Sequence, residues 1–174
     1  MTLQDFKTLF ENIAVKVVAH TKGQAKSQFL MVDDETAVDA VEGNMNTANY
    51  CMEVSYPIDE IRYEGTEHHN KPNFVFRIYR AVQKNDMVAQ EIALQVAKER
   101  LLEVASWLYC SQKANDGFGI IPGSSTQFDN KSFKMSPFID PSNNLCGREV
   151  TFSFTEIINL YDASKINTIT DLYT

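Results

Sequence analysis

The chain has 174 residues, of which 44% are hydrophobic, 22% charged and 11% aromatic. This composition excludes disorder over most of the chain, and the length supports one hydrophobic core and no second one, so we predict a single domain. The formal net charge is −7, and no cluster of Lys and Arg is present. A protein that coats duplex DNA is therefore excluded, because such binding depends on clustered cations that displace counterions.

The first predicted element is an amphipathic helix from about Leu3 to Ala19. Thr2 and Asp5 have the spacing of a capping box, in which each side chain satisfies a free amide group of the other residue. Apolar residues then recur at helical spacing, namely Leu3, Phe6, Leu9, Phe10, Ile13 and Val17. Gly23 breaks this pattern, and the apolar run from Phe29 to Val32 predicts a short buried strand.

The middle of the chain predicts further strands after a loop. The loop covers residues 33–49, which are acidic and then small and polar, with a possible helical turn near residues 37–41. Apolar and polar residues then alternate as in half-buried strands that pair antiparallel through short connections. In chain order we predict a strand at Tyr50 to Tyr56, a turn at Gly65 to Asn73 that follows Ile61 to Tyr63, and a strand at Phe74 to Val82, in which Phe74, Phe76 and Ile78 share a face.

A long alanine-rich helix is predicted from Asp86 to Cys110. Asp86 is a good N-cap, because its carboxylate accepts hydrogen bonds from the free amides of the first turn. The apolar stripe that we expect to face the core combines Val88, Ile92, Val96, Ala89, Ala93, Ala97, Leu101, Val104, Ala105 and Leu108. Lys113, Asn115 and Gly117 supply the stop signals.

The segment from residue 111 to residue 147 predicts an irregular insertion, since Gly, Ser, Asn, Asp and Pro dominate it. Its apolar residues are too many for a solvated linker: Phe118, Ile120, Ile121, Phe128, Phe133, Phe138 and Ile139. Two interpretations stay open, a local hairpin that packs on its own domain or an arm that docks on a neighbouring subunit. A final strand follows within residues 148–162, and residues 163–174 form a weakly patterned tail. The predicted fold class is therefore α+β, with an antiparallel or mixed sheet packed against one long helix and an N-terminal helix.

The sequence carries few signals of a metal site, a nucleotide site or a catalytic centre. Three widely spaced cysteines without a CxxC pair predict buried reduced thiols in a cytoplasmic protein, and neither a signal peptide nor a membrane span is indicated. Adjacent His68 and His69 rarely converge on one metal ion, and the glycines after residue 116 have the wrong spacing for a nucleotide-binding loop. We predict no catalytic residue, no metal and no cofactor.

The order of elements resembles that of the tail-terminator and head-to-tail connector proteins of tailed bacteriophages. The resemblance consists of an N-terminal amphipathic helix, strands with an acidic loop after the first, a long helix, an irregular insertion and a final strand from Glu149 to Phe154. It covers the chain from about Leu3 to Tyr161 and is one of pattern, without a diagnostic motif. It implies a non-enzymatic subunit, made in the host cytoplasm, that assembles as a ring in the neck or at the tail top of the virion.

The resemblance also implies partners and surfaces. The partners would be copies of the chain and adjacent connector, portal or tail proteins, with DNA passing through the ring without specific binding. A channel-facing wall would be formed by the acidic run, Asp33, Asp34, Glu35, Asp39 and Glu42, because like charge keeps a polyanion from adhering. The apolar residues of the insertion would form the subunit-interface arm. Two alternatives remain: a ligand-binding or enzymatic α+β domain with the glycine-rich segment as a lid, and a monomeric protein-binding adaptor.

Overall fold

In the computed structural model of the chain, seven strands and two helices lie within the residues that the structure describes, and they form an α+β fold, as predicted. The structure describes residues 2–24, 26–32, 45–58, 61–64, 67–114 and 126–158. The elements in chain order are α1 (Leu3–Val17), β1 (Phe29–Val32), β2 (Cys51–Ser55), β3 (Ile61–Glu64), β4 (Glu67–Asn70), β5 (Asn73–Ala81), α2 (Met87–Ala114), β6 (Gln127–Asp140) and β7 (Leu145–Ile158).

The capping box that the sequence predicts at the start of α1 is present. The Thr2 hydroxyl accepts a hydrogen bond from the Asp5 amide at 3.2 Å, and the Asp5 carboxylate accepts one from the Thr2 amide at 2.7 Å. The helix ends at Val17 because Ala19 adopts a left-handed conformation with a φ of 54°, and the His20 amide then donates to the Ala14 carbonyl. The predicted helix is therefore confirmed, two residues shorter than expected.

The sheet is mixed and has β7 near its centre. The strand order is β1, β2, β5, β7 and β6; β1 and β2 are parallel, and the other neighbours are antiparallel. The hairpin of β3 and β4 joins the far end of β7, where Asn70 lies opposite Glu156. The predicted antiparallel pairing of β2 and β5 is confirmed, with Met52 opposite Ile78.

Two segments predicted to lack regular structure are strands, so both predictions are wrong. Glu67–Asn70, predicted as part of a turn, is β4, because its hydrogen-bonding partners at the end of β7 are far away in sequence. Residues 127–140 of the predicted irregular insertion form β6, which pairs with β7 on both sides of an interruption. A register shift between Asp129 and Lys134 interrupts the two-residue alternation, which hides this strand from pattern analysis. The final strand also begins earlier than predicted, at Leu145.

The two helices cover one face of the sheet and enclose an aromatic core. Phe6 and Phe10 of α1 contact Phe74 and Phe154, with ring centroids 4.8 to 6.2 Å apart. The side chain of Phe10 is fully buried, and its ring meets that of Phe76 edge to face at 4.7 Å. Such pairs stabilise a core beyond the area that they bury.

The helix α2 packs on this face with a narrower stripe than predicted. Asp86 is its N-cap as expected, since its carboxylate accepts from the Ala89 amide at 2.9 Å. The buried residues of α2 are Ala93, Ala97, Leu101, Val104 and Leu108. Val88 and Ile92 are 68% and 54% exposed, so placing them in the core stripe was wrong. Val88 and Ile92 lie on the face of α2 that points away from the sheet. The face that carries the alanines approaches the sheet closely, because the alanine side chains are small.

The second face of the sheet is also buried at β2, which the sequence did not indicate. All five residues of β2 are buried, including Glu53, whereas the alternation predicted a half-buried strand. The reason is a set of partners from β5 and β7, described below. Cys51 and Cys146 are buried free thiols as predicted, but Cys110 is exposed, which corrects the prediction for that residue. Along the described part of the chain, no helix is both long and apolar enough to cross a bilayer.

Candidate functional site

Several residues that the sequence nominated for function lie outside the described residues. These are the whole acidic run, Asp33, Asp34, Glu35, Asp39 and Glu42, and the first part of the predicted arm, Phe118, Ile120 and Ile121. The proposed roles of these residues stay predictions.

The remaining arm residues belong to β6, and three of the four pack on their own chain. Phe128 is only 8% exposed, and its ring meets that of Phe152 edge to face at 5.6 Å. Phe133 is half-buried and stacks on Phe152 at 5.9 Å, while Phe138 packs against Tyr79 at 5.4 Å on the other face. For these three phenylalanines, the structure shows a hairpin that packs on the same domain, and a contact with a neighbouring subunit stays a prediction.

Exposed apolar side chains are instead found on the outer side of α2. Met87, Val88 and Ile92 are 80%, 68% and 54% exposed, in a stretch of six residues. Single exposed apolar residues are common on protein surfaces, but neighbouring ones mark contact sites.

A groove runs along this side of the helix. Its volume is about 470 Å³, and it is lined by Val88, Glu91, Ile92, Leu94, Gln95, Val96 and Arg148. The Arg148 side chain reaches the helix from β7, and its Nε donates to the Leu94 carbonyl oxygen at 3.4 Å. We call these seven residues the α2 groove. It combines an apolar floor with one carboxylate and one guanidinium, so it offers a hydrophobic contact with charged groups beside it.

A second feature lies on the face of the sheet away from the helices. Glu53, Arg77 and Glu149 are direct cross-strand neighbours on β2, β5 and β7. The Arg77 guanidinium donates through NH1 to Glu53 at 2.8 Å and through Nε to Glu149 at 2.6 Å. The two carboxylates thus share one cation, and we call this set the ion ladder.

The innermost carboxylate of the ion ladder has a further donor. The Tyr79 hydroxyl donates to Glu53 at 3.0 Å, and both residues are almost completely buried. Burial, followed by the negative charge of Glu53, raises the pKa of Tyr79 far above its usual range. Tyr79 therefore stays a neutral hydrogen-bond donor and is not a candidate acid or base near neutral pH.

A glycine in the central strand permits this arrangement. Gly147 lies opposite Tyr79 on one side and Phe138 on the other, and a Cβ atom at this position would lie 2.0 Å from the Ile78 carbonyl oxygen. The two flanking rings meet over the glycine, and the Arg77 guanidinium carbon lies 5.3 Å from the centre of the Phe138 ring. The ion ladder is thus closed on one side by aromatic rings.

The described residues offer little for metal or acid–base chemistry. Within them, no group of three His, Cys, Asp or Glu side chains is placed to hold a metal ion. The ion ladder and the α2 groove carry no sequence signature, because both depend on the register between strands and on the packing of α2. No protein-family model matches this chain, and no curated protein matches it.

Proposed function

We propose that this chain is a structural, non-enzymatic subunit of a tailed-bacteriophage virion, which forms a ring in the neck or at the top of the tail. The order of its elements resembles that of terminator and connector subunits. The observation that carries the proposal is the α2 groove with its exposed Val88 and Ile92. A helix that buries its alanine face and exposes branched apolar residues on the opposite face is suited to receive a second protein surface.

The geometry favours contact between copies of the chain in a closed ring. A ring forms when one surface of a subunit fits a different surface of the next, so a concave groove needs a convex apolar partner. Ile139 at the end of β6 is 55% exposed and offers an apolar side chain of the same chain for this contact. Burial of each large apolar side chain at the contact would contribute about 1.5 to 3 kcal/mol.

A ring in this position would also let DNA pass. The formal net charge of −7 supports a channel wall that repels a polyanion. Under this proposal, Asp33, Asp34, Glu35, Asp39 and Glu42 face the channel, and adjacent connector, portal or tail proteins contact the ends of the ring. The protein would be made in the host cytoplasm and would reside in the virion.

The decisive experiment measures the copy number of the chain in purified virus particles whose genome encodes it. Quantitative mass spectrometry should give a fixed small number of copies per particle, in the range of one ring. Particles that lack the chain would refute the proposal. A purified monomer would not, because connector subunits can assemble only on their docking partner.

The role of the α2 groove is tested by a pair of matched substitutions. Ile92→Glu places a charge in the groove and should abolish incorporation into particles, because an unpaired carboxylate cannot be buried at a contact. Leu102→Glu is the control, since Leu102 is 51% exposed on the same helix and does not line the groove. Equal incorporation of both variants would show that the groove is not the subunit contact.

A second candidate function is favoured by the size of the α2 groove. A volume of about 470 Å³ is within the range of small-molecule sites, and Arg148 could bind an acidic ligand there. The chain would then be a small ligand-binding or enzymatic domain. Mass spectrometry of small molecules retained by the purified protein distinguishes the ligand-binding function from the ring. If the chain binds a ligand, wild type should retain it and Ile92→Glu should lose it, and virus particles should lack the chain.

A further inference from the structure

Two arginines converge on one tyrosine at the edge of the helix-covered face of the sheet. Tyr50 immediately precedes β2, Arg80 lies near the end of β5, and Arg100 lies in the middle of α2. The guanidinium carbons of Arg80 and Arg100 are 5.6 and 5.0 Å from the centre of the Tyr50 ring. All three residues are half-buried, so the cluster is open to solvent on one side.

The positive charge of this cluster is not neutralised by the described residues. Arg80 donates through Nε to the Ala81 carbonyl at 3.4 Å, and Arg100 donates to the Val17 carbonyl at the end of α1. Both acceptors are uncharged, and no carboxylate in the described ranges pairs with either guanidinium. Arg77 of the same strand differs, since it has two carboxylate partners. Two like charges beside one ring, with no counterion among the described residues, are unfavourable, and the cost grows as water is excluded.

Two buried polar atoms at the cluster also lack partners. The Arg100 Nε and the Tyr50 hydroxyl oxygen are both inaccessible to solvent and make no hydrogen bond of good geometry with a described residue. Burial raises the pKa of Tyr50, and the nearby Arg80 and Arg100 partly oppose this rise, so the hydroxyl is a neutral donor beside two cations. Buried polar groups are hydrogen-bonded as a rule, and a buried donor such as the Arg100 Nε without a partner among the described residues indicates a missing acceptor.

We propose that Arg80, Arg100 and Tyr50 form a binding site for a phosphate group. A phosphate dianion matches the two positive charges, and its oxygens accept from two planar guanidinium groups and one hydroxyl. The group is either a free phosphate ion or the phosphate of a small monoester, since both present the same oxygens. This site is separate from the α2 groove and does not depend on the ring proposal.

The test is titration of the full chain with inorganic phosphate, followed by isothermal calorimetry at constant ionic strength set with chloride. Wild type should bind with saturation, and Arg80→Gln should bind at least tenfold more weakly, because a charge-assisted donor pair is lost. Lys98→Gln is the matched control, as it removes the same charge from α2 without touching Tyr50, and it should bind like wild type. Titration with methyl phosphate distinguishes the two possible ligands. A site for monoesters should bind both phosphate and methyl phosphate, whereas a site for the free ion should bind phosphate alone.

Arg80→Lys makes the result independent of charge and of folding defects. It keeps the positive charge but lacks the planar fork, so its phosphate affinity should also fall about tenfold while its thermal unfolding in chloride stays near that of wild type. The proposal is overturned if wild type shows no saturable binding. It is equally overturned if Arg80→Lys binds phosphate like wild type, or if Lys98→Gln lowers the affinity about tenfold. In either case the affinity would depend on general charge and not on the Arg80 guanidinium.

Discussion

The ion ladder makes a quantitative prediction about Glu53. The substitution Glu53→Gln is almost isosteric, but one of its two terminal groups becomes an amide donor. It then faces either Arg77 or Tyr79, both of which are donors that now bind the carboxylate at 2.8 and 3.0 Å. The variant therefore loses one charge-assisted hydrogen bond and leaves one buried donor without an acceptor.

The expected cost follows from burial. A charge-assisted hydrogen bond contributes about 1.5 to 3 kcal/mol, and an unsatisfied buried donor costs about 1 to 3 kcal/mol. Arg77 keeps Glu149 as a partner, which reduces the loss. We expect Glu53→Gln to lower the free energy of unfolding by about 3 kcal/mol, which for a chain of this length lowers Tm by about 6 to 12 °C.

Glu149→Gln is the matched control for this measurement. It is the same substitution against the same arginine, but the Glu149 side chain is 26% exposed where that of Glu53 is 5% exposed. Water can replace the lost partner, so we expect a loss of about 1 kcal/mol or less. Urea unfolding followed by circular dichroism and by the fluorescence of Trp107, the single tryptophan, measures both variants. Equal losses for the two variants would refute the assignment of the cost to burial.

Three further predictions concern the thiols, a helix cap and a glycine. Cys110 should react fast with a thiol reagent at pH 8 and Cys51 should not, since burial raises the pKa of Cys51 to about 12; absorbance counts the fast thiols. Hydrogen bonds from the Thr2 amide and hydroxyl lower the pKa of Asp5. The stabilisation by Asp5 is therefore present above the ordinary carboxyl pKa and is lost as the pH falls through the lowered pKa. Asp5→Asn should flatten the acid side of a plot of unfolding free energy against pH. Gly147→Ala should destabilise by about 2 kcal/mol or more in urea unfolding because backbone atoms block its Cβ, whereas Gly23→Ala, with open space and a φ of 79°, should cost only about 1 kcal/mol.

The local elements of this fold could be predicted from the sequence. The cap at Thr2, the helical spacing of Phe6 and Phe10, and the shared face of Phe74 and Phe76 depend on neighbours within a few residues. These patterns express backbone geometry directly. The predictions of α1, β5 and the start of α2 were accordingly confirmed.

The elements that depend on distant partners could not be predicted in this way. The strand β4 consists of polar residues whose partners lie at the far end of β7, and β6 contains a bulge that breaks its alternation. The predicted apolar stripe on α2 also wrongly included exposed residues such as Ile92, because helical spacing alone cannot tell whether Ala93 or Ile92 faces the sheet. The choice depends on how closely α2 approaches β7, which only small residues allow.

The same limit applies to the candidate sites. The ion ladder requires Glu53, Arg77 and Glu149 to be in register across three strands, and no spacing in the sequence reports that register. The phosphate site requires α2 to carry Arg100 to Tyr50. The charged residues that the sequence did single out formed a run along the chain, which is a weaker signal than convergence in space.

The partners of each arginine separate a structural role from a binding role. Arg77 has two carboxylates and an aromatic ring, so its charge is fully compensated within the sheet and a ligand would have to displace an existing ion pair. Arg80 lies three residues further along β5, on the opposite face, and among the described residues it meets an aromatic ring and a backbone carbonyl but no carboxylate. One strand therefore carries a cation with carboxylate partners on one face and, on the other, a cation that no carboxylate of the described ranges compensates. The uncompensated cation is the one that can bind an anion without breaking an ion pair of the fold.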